Sequence, residues 1–197
     1  SQARWHYERG LALSRKIGAR WNEATILRNL TILAVCEGDY ARAERTLAEN
    51  RRINEQLGAK DELAIGLNCL GFLYFNKGQL SQAQTVQECA LQQLRQQRFA
   101  QWEVKALTAL AWIHLELGNL SAALDYANEA SEAARAVNEQ RQAAYASTCL
   151  GHVLIEVHRY AEAVATFHQA ITWHEQMQQT NRRLEPLAGL AQVALVQ

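Results

Sequence analysis

Proline is all but missing from this chain. Pro186 is the one proline in 197 residues, so no proline-rich linker marks a division into domains. Neither charge sign is in excess: 20 basic and 20 acidic residues give a formal net charge of zero. That disfavours a nucleic-acid or anionic-membrane surface, which would need a basic stripe to neutralise phosphates. No apolar run approaches the ~18–20 residues that span a bilayer, and no charged, apolar and small-residue leader opens the sequence. The four cysteines, Cys36, Cys69, Cys89 and Cys149, form no CxxC pair. They are expected to be buried free thiols in a reducing compartment, which places the chain in a cytoplasm. Nucleotide-binding GxxxxGK[ST] and GxGxxG are missing, as is HExxH. No cofactor and no metal is expected, and the chain is read as a non-enzyme.

What is present is repetition. Gly38-Asp39-Tyr40-Ala41-Arg42-Ala43 returns as Gly78-Gln79-Leu80-Ser81-Gln82-Ala83 and as Gly118-Asn119-Leu120-Ser121-Ala122-Ala123. A weaker copy reads His158-Arg159-Tyr160-Ala161-Glu162-Ala163, so the step is 40 positions throughout. Within each unit the apolar spacing is helical: Leu67, Leu70, Leu73 and Tyr74 lie on one face, and Ala83, Val86, Ala90 and Leu94 on the next. Gly38, Gly78 and Gly118 suit the left-handed residue past a helix end. Asp39 and Asn119 are expected to cap the helices that follow. His158 stands where glycine would, and the fourth turn is expected to be the least regular.

The expectation is an all-α fold, an α-solenoid of antiparallel helix pairs with about ten helices of roughly four turns each. Its units read as a second helix at 1–20, full pairs at 21–60, 61–100, 101–140 and 141–180, and a further first helix at 181–197. Gly71, Ala111 and Gly151 on first helices, and Ala43, Ala83, Ala123 and Ala163 on second helices, would let neighbours approach closely. The chain thus opens and ends inside a repeat. It is expected to be a piece of a longer protein, or an array whose open ends are covered by dimerisation.

Leu70-Gly71-x-x-Tyr74, then Gly78, Ala83 and Ala90, with Leu150-Gly151, Ala163, Phe167 and Ala170 in a later copy, resemble the tetratricopeptide repeat family. The resemblance covers the whole chain and implies a right-handed superhelix. It departs in length, since the common unit has about 34 residues, and in replacing Tyr74 by His114 and Leu154 elsewhere. Forty-residue arrays of this texture are similar to those of bacterial STAND-type signalling ATPases and of large LuxR- or SARP-type transcription regulators.

In that family the first helix of each pair lines a concave groove. By the resemblance, the groove of this chain carries Arg28, Ile32, Val35, Asn68, Phe72, Phe75, Lys105, Thr108, Trp112, Leu115, Tyr145, Thr148 and His152. An aromatic and aliphatic floor of this kind suits an apolar or amphipathic peptide, or a partner domain. The alternative is that Phe72 and Trp112 pack on each other and close the trough. Arg28, Asn68 and Lys105 are related to the family's carboxylate clamp, but the set is incomplete. Cys149 with His152 lacks an orienting third group, and His152 with Glu156 reads as a solvated helix pair. Trp5, Trp21, Trp102 and Trp173 are expected to cover seams between repeats. The function implied is a protein-interaction scaffold, the C-terminal sensor or regulatory part of a larger signalling or transcription-regulatory protein, without direct nucleic-acid or membrane contact. An oligomerisation element joined through open helical ends, or a sensor of a small effector beside His152 and Tyr145, stands beside it.

Overall fold

The computed structural model describes residues 2–196. Ten α-helices and one 3₁₀ turn account for them, with no strand among the described residues. The chain divides into two compact units between Gln97 and Arg98. The first holds α1 (Gln2–Lys16), α2 (Arg20–Cys36), α3 (Tyr40–Leu57), α4 (Lys60–Asn76) and α5 (Leu80–Gln96). The second holds α6 (Ala100–Glu116), α7 (Leu120–Ala136), α8 (Gln140–Glu156), α9 (Tyr160–Gln176), a 3₁₀ turn at Thr180–Arg183, and α10 (Leu184–Val196).

The turns repeat as closely as the sequence does. Gly38 has φ +74°, its N–H donates to the Val35 carbonyl at 3.0 Å, and the next N–H, of Asp39, donates to Ala34 at 2.9 Å. This is the helix-ending motif that a left-handed residue permits. His158 adopts φ +59° and the same pair of bonds forms, its N–H donating to Ile155 and the Arg159 N–H to Leu154, each at 2.9 Å. The fourth turn is therefore as regular as the others, contrary to expectation. A left-handed non-glycine residue costs on the order of 1–2 kcal/mol, and here the imidazole Nδ1 also meets the Tyr160 hydroxyl at 2.7 Å. Asp39 caps α3 by accepting from the Arg42 N–H at 3.1 Å, whereas Asn119 makes no such bond at the start of α7.

In the first unit, Ala34, Val35, Ala43, Leu47, Cys69 and Leu73 form a buried cluster between two helix pairs. Polar side chains are buried or paired elsewhere in the same unit. Asn50, fully buried on α3, donates from Nδ2 to the Ala24 carbonyl of α2 at 2.7 Å and accepts from Asn54 at 3.2 Å. Buried Glu23 accepts from both Arg15 and Arg20, at 3.0 and 2.7 Å. Arg28 pairs with Glu62 across α2 and α4, and Lys77 reaches Glu44 at 2.7 Å.

The second unit is packed with alanine instead. Ala123, Ala127, Ala130 and Ala134 of α7, and Ala143, Ala144 and Ala146 of α8, are all buried. Phe167 closes the next layer. A Cβ on Gly151 would sit 2.5 Å from its ring, and one on Gly189 would sit 2.3 Å away. Both glycines exist to admit that ring.

Two sequence expectations are corrected here. Cys69 and Cys149 are buried, but Cys36 and Cys89 are exposed. Trp5 and Trp21 do not cover seams either, since each leaves about half its surface open, 53% and 51%. The physical reason lies in the repeat columns. Cys36 aligns with Asn76, Glu116 and Glu156, Cys89 with Glu49, Glu129 and Gln169, and Trp21 with Asp61, Gln101 and Arg141. Each sits on a helix flank that the fold leaves to solvent.

Candidate protein-interaction face

The first helices of the pairs, α2 and α4 in one unit and α6 and α8 in the other, place the predicted groove residues in two groups. In the first unit, Ile32 and Phe72 are half-buried, lying on the Ala34–Leu73 cluster with part of each side chain still open. Phe75 is half-buried too, one turn of α4 beyond Phe72. Arg28 lies at the same level as the Glu62 carboxylate that it pairs with. Val35 and Asn68 are buried, and the Asn68 Nδ2 has no hydrogen-bond partner among the described residues.

In the second unit the open positions are more aromatic. Trp112 and His152 stack at a tilt, 5.3 Å between ring centres, and His152 meets the Phe167 ring edge-on at 5.1 Å. Leu115 lies half-buried beside them on the same core. Lys105 places its ammonium 3.6 Å from the centre of the Trp102 ring, a cation–π contact. Tyr145 leaves 38% of its surface open. Its hydroxyl end lies inward, where burial above all, and then Cys149 and Glu185, raise its pKa above the usual phenol value. Thr108 and Thr148 are buried, each hydroxyl donating to the carbonyl four residues back, Val104 at 2.8 Å and Ala144 at 2.9 Å.

The electrostatics of this second group are those of a dry aromatic surface. Burial lowers the His152 pKa, with Glu156 opposing, so the ring is neutral at pH 7. Cys149 is fully buried, its Sγ 3.8 Å from the Thr108 carbonyl, and burial pushes its thiol well above the ordinary value. A thiol so disposed is a poor nucleophile, which removes Cys149 with His152 as a reacting pair. Among the described residues no three of His, Cys, Asp or Glu converge as metal ligands, and no helix is long and apolar enough to cross a membrane.

The sequence columns found the open aromatic positions but did not separate them from buried neighbours. Val35, Asn68, Thr108 and Thr148 sit about one turn from Ile32, Phe72, Trp112 and His152, so helical period alone leaves their depth undecided. Glu185 was not among the predicted positions, though it extends the column of Lys105 and Tyr145 by one step. Burial raises its pKa, with Arg182 opposing.

The tetratricopeptide repeat family profile matches residues 62–136. A sequence comparison with curated proteins gave no match. Among solved structures, BtubC (BKLC) from P. vanneervenii superposes with a TM-score of 0.77 at 18% identity, over 95% of this chain and 80% of that one. A signal transduction ATPase with numerous domains from Pyrococcus horikoshii, with a tetratricopeptide repeat sensor, gives 0.68 at 17% identity. That match covers 87% of this chain and 27% of the larger protein. A Rap protein complexed with competence and sporulation factor gives 0.66 at 13% identity, over 95% of this chain and 57% of that one. At such identities the likeness is one of fold. The 40-residue step, the profile match over residues 62–136 and these superpositions agree: the fold is that of a tetratricopeptide-like helical repeat.

Proposed function

We propose that this chain is a non-catalytic scaffold that receives a peptide or a partner domain on the faces of its first helices. Tetratricopeptide-type folds generally serve as protein-interaction scaffolds. The observation that carries the reading here is the recurrence of half-open apolar or aromatic side chains at one repeat column, Ile32 and Phe72 in one unit, Trp112 and His152 in the other. Rigid aromatic anchors on a packed base lose little entropy when a partner covers them. In the first unit Phe75 widens the face and Arg28 borders it; in the second, Tyr145 and Leu115 widen it and Lys105 borders it. The fold likeness to a Rap protein solved with a bound factor, and to the sensor of a STAND ATPase, supports a regulatory role within a larger cytoplasmic signalling or transcription-regulatory protein of bacterial type, without direct nucleic-acid or membrane contact.

The test is a selection of binders from a displayed random-peptide library on the intact chain. Phe72→Ala with Trp112→Ala keeps the helical circular dichroism and lowers affinity for selected peptides by at least tenfold. Unchanged affinity in that double variant places the partner elsewhere and overturns the reading.

A second reading rests on a different observation. Leu13 of α1 and Ile17 just past its end are 59% and 65% exposed, and Leu187 and Leu195 of α10 are 46% and 86% exposed. Faces of this kind favour self-association through the terminal helices. Light scattering across a concentration series decides it, a strictly monomeric mass at high concentration being the outcome against it. The small-effector reading at Tyr145 and His152 predicts ligand density between those two rings in a co-crystal.

A further inference from the structure

The first unit contains a cleft of about 310 Å³ among α3, α4 and α5, on the flank of α4 away from Phe72 and Ile65. Such a volume falls at the small end of ligand-binding pockets, roughly 300–1,000 Å³. Its floor is Leu47, Leu63, Leu67 and Leu70, with Gly66 opposite the buried Asn50. The space has an identifiable cause. One repeat earlier the corresponding pair is Gly10 and Ile26, and the Ile26 side chain comes within 3.3 Å of a Cβ built on Gly10. At Gly66 the branched side chain is gone, and a Cβ there would only touch Asn50 Oδ1 at 3.7 Å. Two repeats on, alanines Ala130 and Ala146 meet in that place.

The polar groups are sorted. Both polar ends of the Asn50 carboxamide are engaged, with Ala24 and with Asn54, so the floor presents only apolar contact. At the mouth lie Arg51 and Glu55, bonded Nε to Oε1 at 2.8 Å and both exposed. An exposed pair one helical turn apart contributes little, so a ligand can part it at small cost. A ligand bearing one charge would gain one of these residues and be repelled by the other. A head with both charges gains both. We propose that the cleft binds a free α-amino acid with a branched or aromatic side chain. Its carboxylate lies on the Arg51 guanidinium, its ammonium on Glu55, and its side chain against Leu63, Leu67 and Leu70.

The site lies on a different flank of α4 from the interaction face, so the two can fail separately. Cys89, exposed and lining the cleft, supplies the readout. In a Cys36→Ser background, saturable L-leucine or L-phenylalanine binding by calorimetry is expected to slow alkylation of Cys89 at least fivefold. Isoamylamine, isocaproate and N-acetyl-leucinamide, each lacking one or both charges, bind at least tenfold more weakly than leucine. Gly66→Leu fills the cleft and reduces affinity at least tenfold, as does Arg51→Gln with Glu55→Gln, whose surface positions leave folding intact. Absence of binding and protection at millimolar amino acid overturns the proposal. So does equal binding of N-acetyl-leucinamide, or unchanged affinity in the Arg51 and Glu55 double variant.

Discussion

The same 40-residue pattern is packed in two ways in this molecule. Around α2 and α3 the helices are joined by medium-length polar side chains, Asn50 and Asn54 with Thr31 and Thr46, whose hydroxyls lie 2.8 Å apart. Around α7 and α8 they are joined by alanines, and Phe167 fills the slot that Gly151 and Gly189 leave. Polar joints have directional requirements and leave space where a partner side chain is short, which is how the cleft at Gly66 arises. Alanine joints let backbones approach until nothing remains to fill. One repeat can therefore be built to be tight or to be hollow, with the period unchanged.

The largest test of this contrast compares two glycines at the same repeat position. Gly151→Ala drives a methyl into the Phe167 ring, which is held on both sides, and is expected to destabilise the chain by about 2–3 kcal/mol. At Gly71 the new methyl meets the end of the Gln87 side chain, Oε1 at 2.1 Å, and this flexible carboxamide can swing aside. Gly71→Ala should then cost less than about 1 kcal/mol, since alanine also favours the helix by roughly 0.5–1 kcal/mol. Thermal unfolding by circular dichroism measures both, and equal losses break the contrast.

Next in size is Asn50→Ala. It removes the side-chain bond to the Ala24 carbonyl and orphans the buried Asn54 amide, and is expected to cost about 1–2 kcal/mol. A neutral outcome would mean that the polar joint contributes nothing beyond its volume.

A smaller effect follows from the second unit's imidazoles. Burial is the first cause lowering both His152 and His174, so the unfolded chain binds more protons than the folded one as pH falls below about 6.5. Stability is thus lost on acidification through that window. Glu185, raised by burial, acts in the opposite sense, weakening the fold as pH climbs above about 4.3. Replacing both histidines by asparagine should flatten the loss between pH 6.5 and 5, and an unaltered profile would assign the acid sensitivity elsewhere. The smallest effect is that of Arg51→Ala, under about 0.5 kcal/mol, because its pair with Glu55 is exposed. A larger loss would show that the mouth of the cleft is part of the scaffold.

Much of this was legible in the chain before any coordinates. Gly38, Gly78 and Gly118 have positive φ as expected, and Ala43, Ala83, Ala123 and Ala163 are all fully buried. Exposure of Cys36, Cys89 and Trp21 could also have been read, from the polar residues that share their columns. Reading each residue type by its average habit, instead of by its column, obscured it. The depth of Val35, Asn68, Thr108 and Thr148 was not legible, because neighbouring positions on a helix face share one hydrophobic period.

By itself the sequence determined the helix pairs, their turns and their order, since these depend on local propensity and on a period that any one repeat displays. The tertiary structure alone decided which seam closes and which stays hollow. That depends on the combined volume of residues far apart in the chain, Asn50 against Gly66 and Phe167 against Gly151 and Gly189, and no single column of the repeat contains both partners.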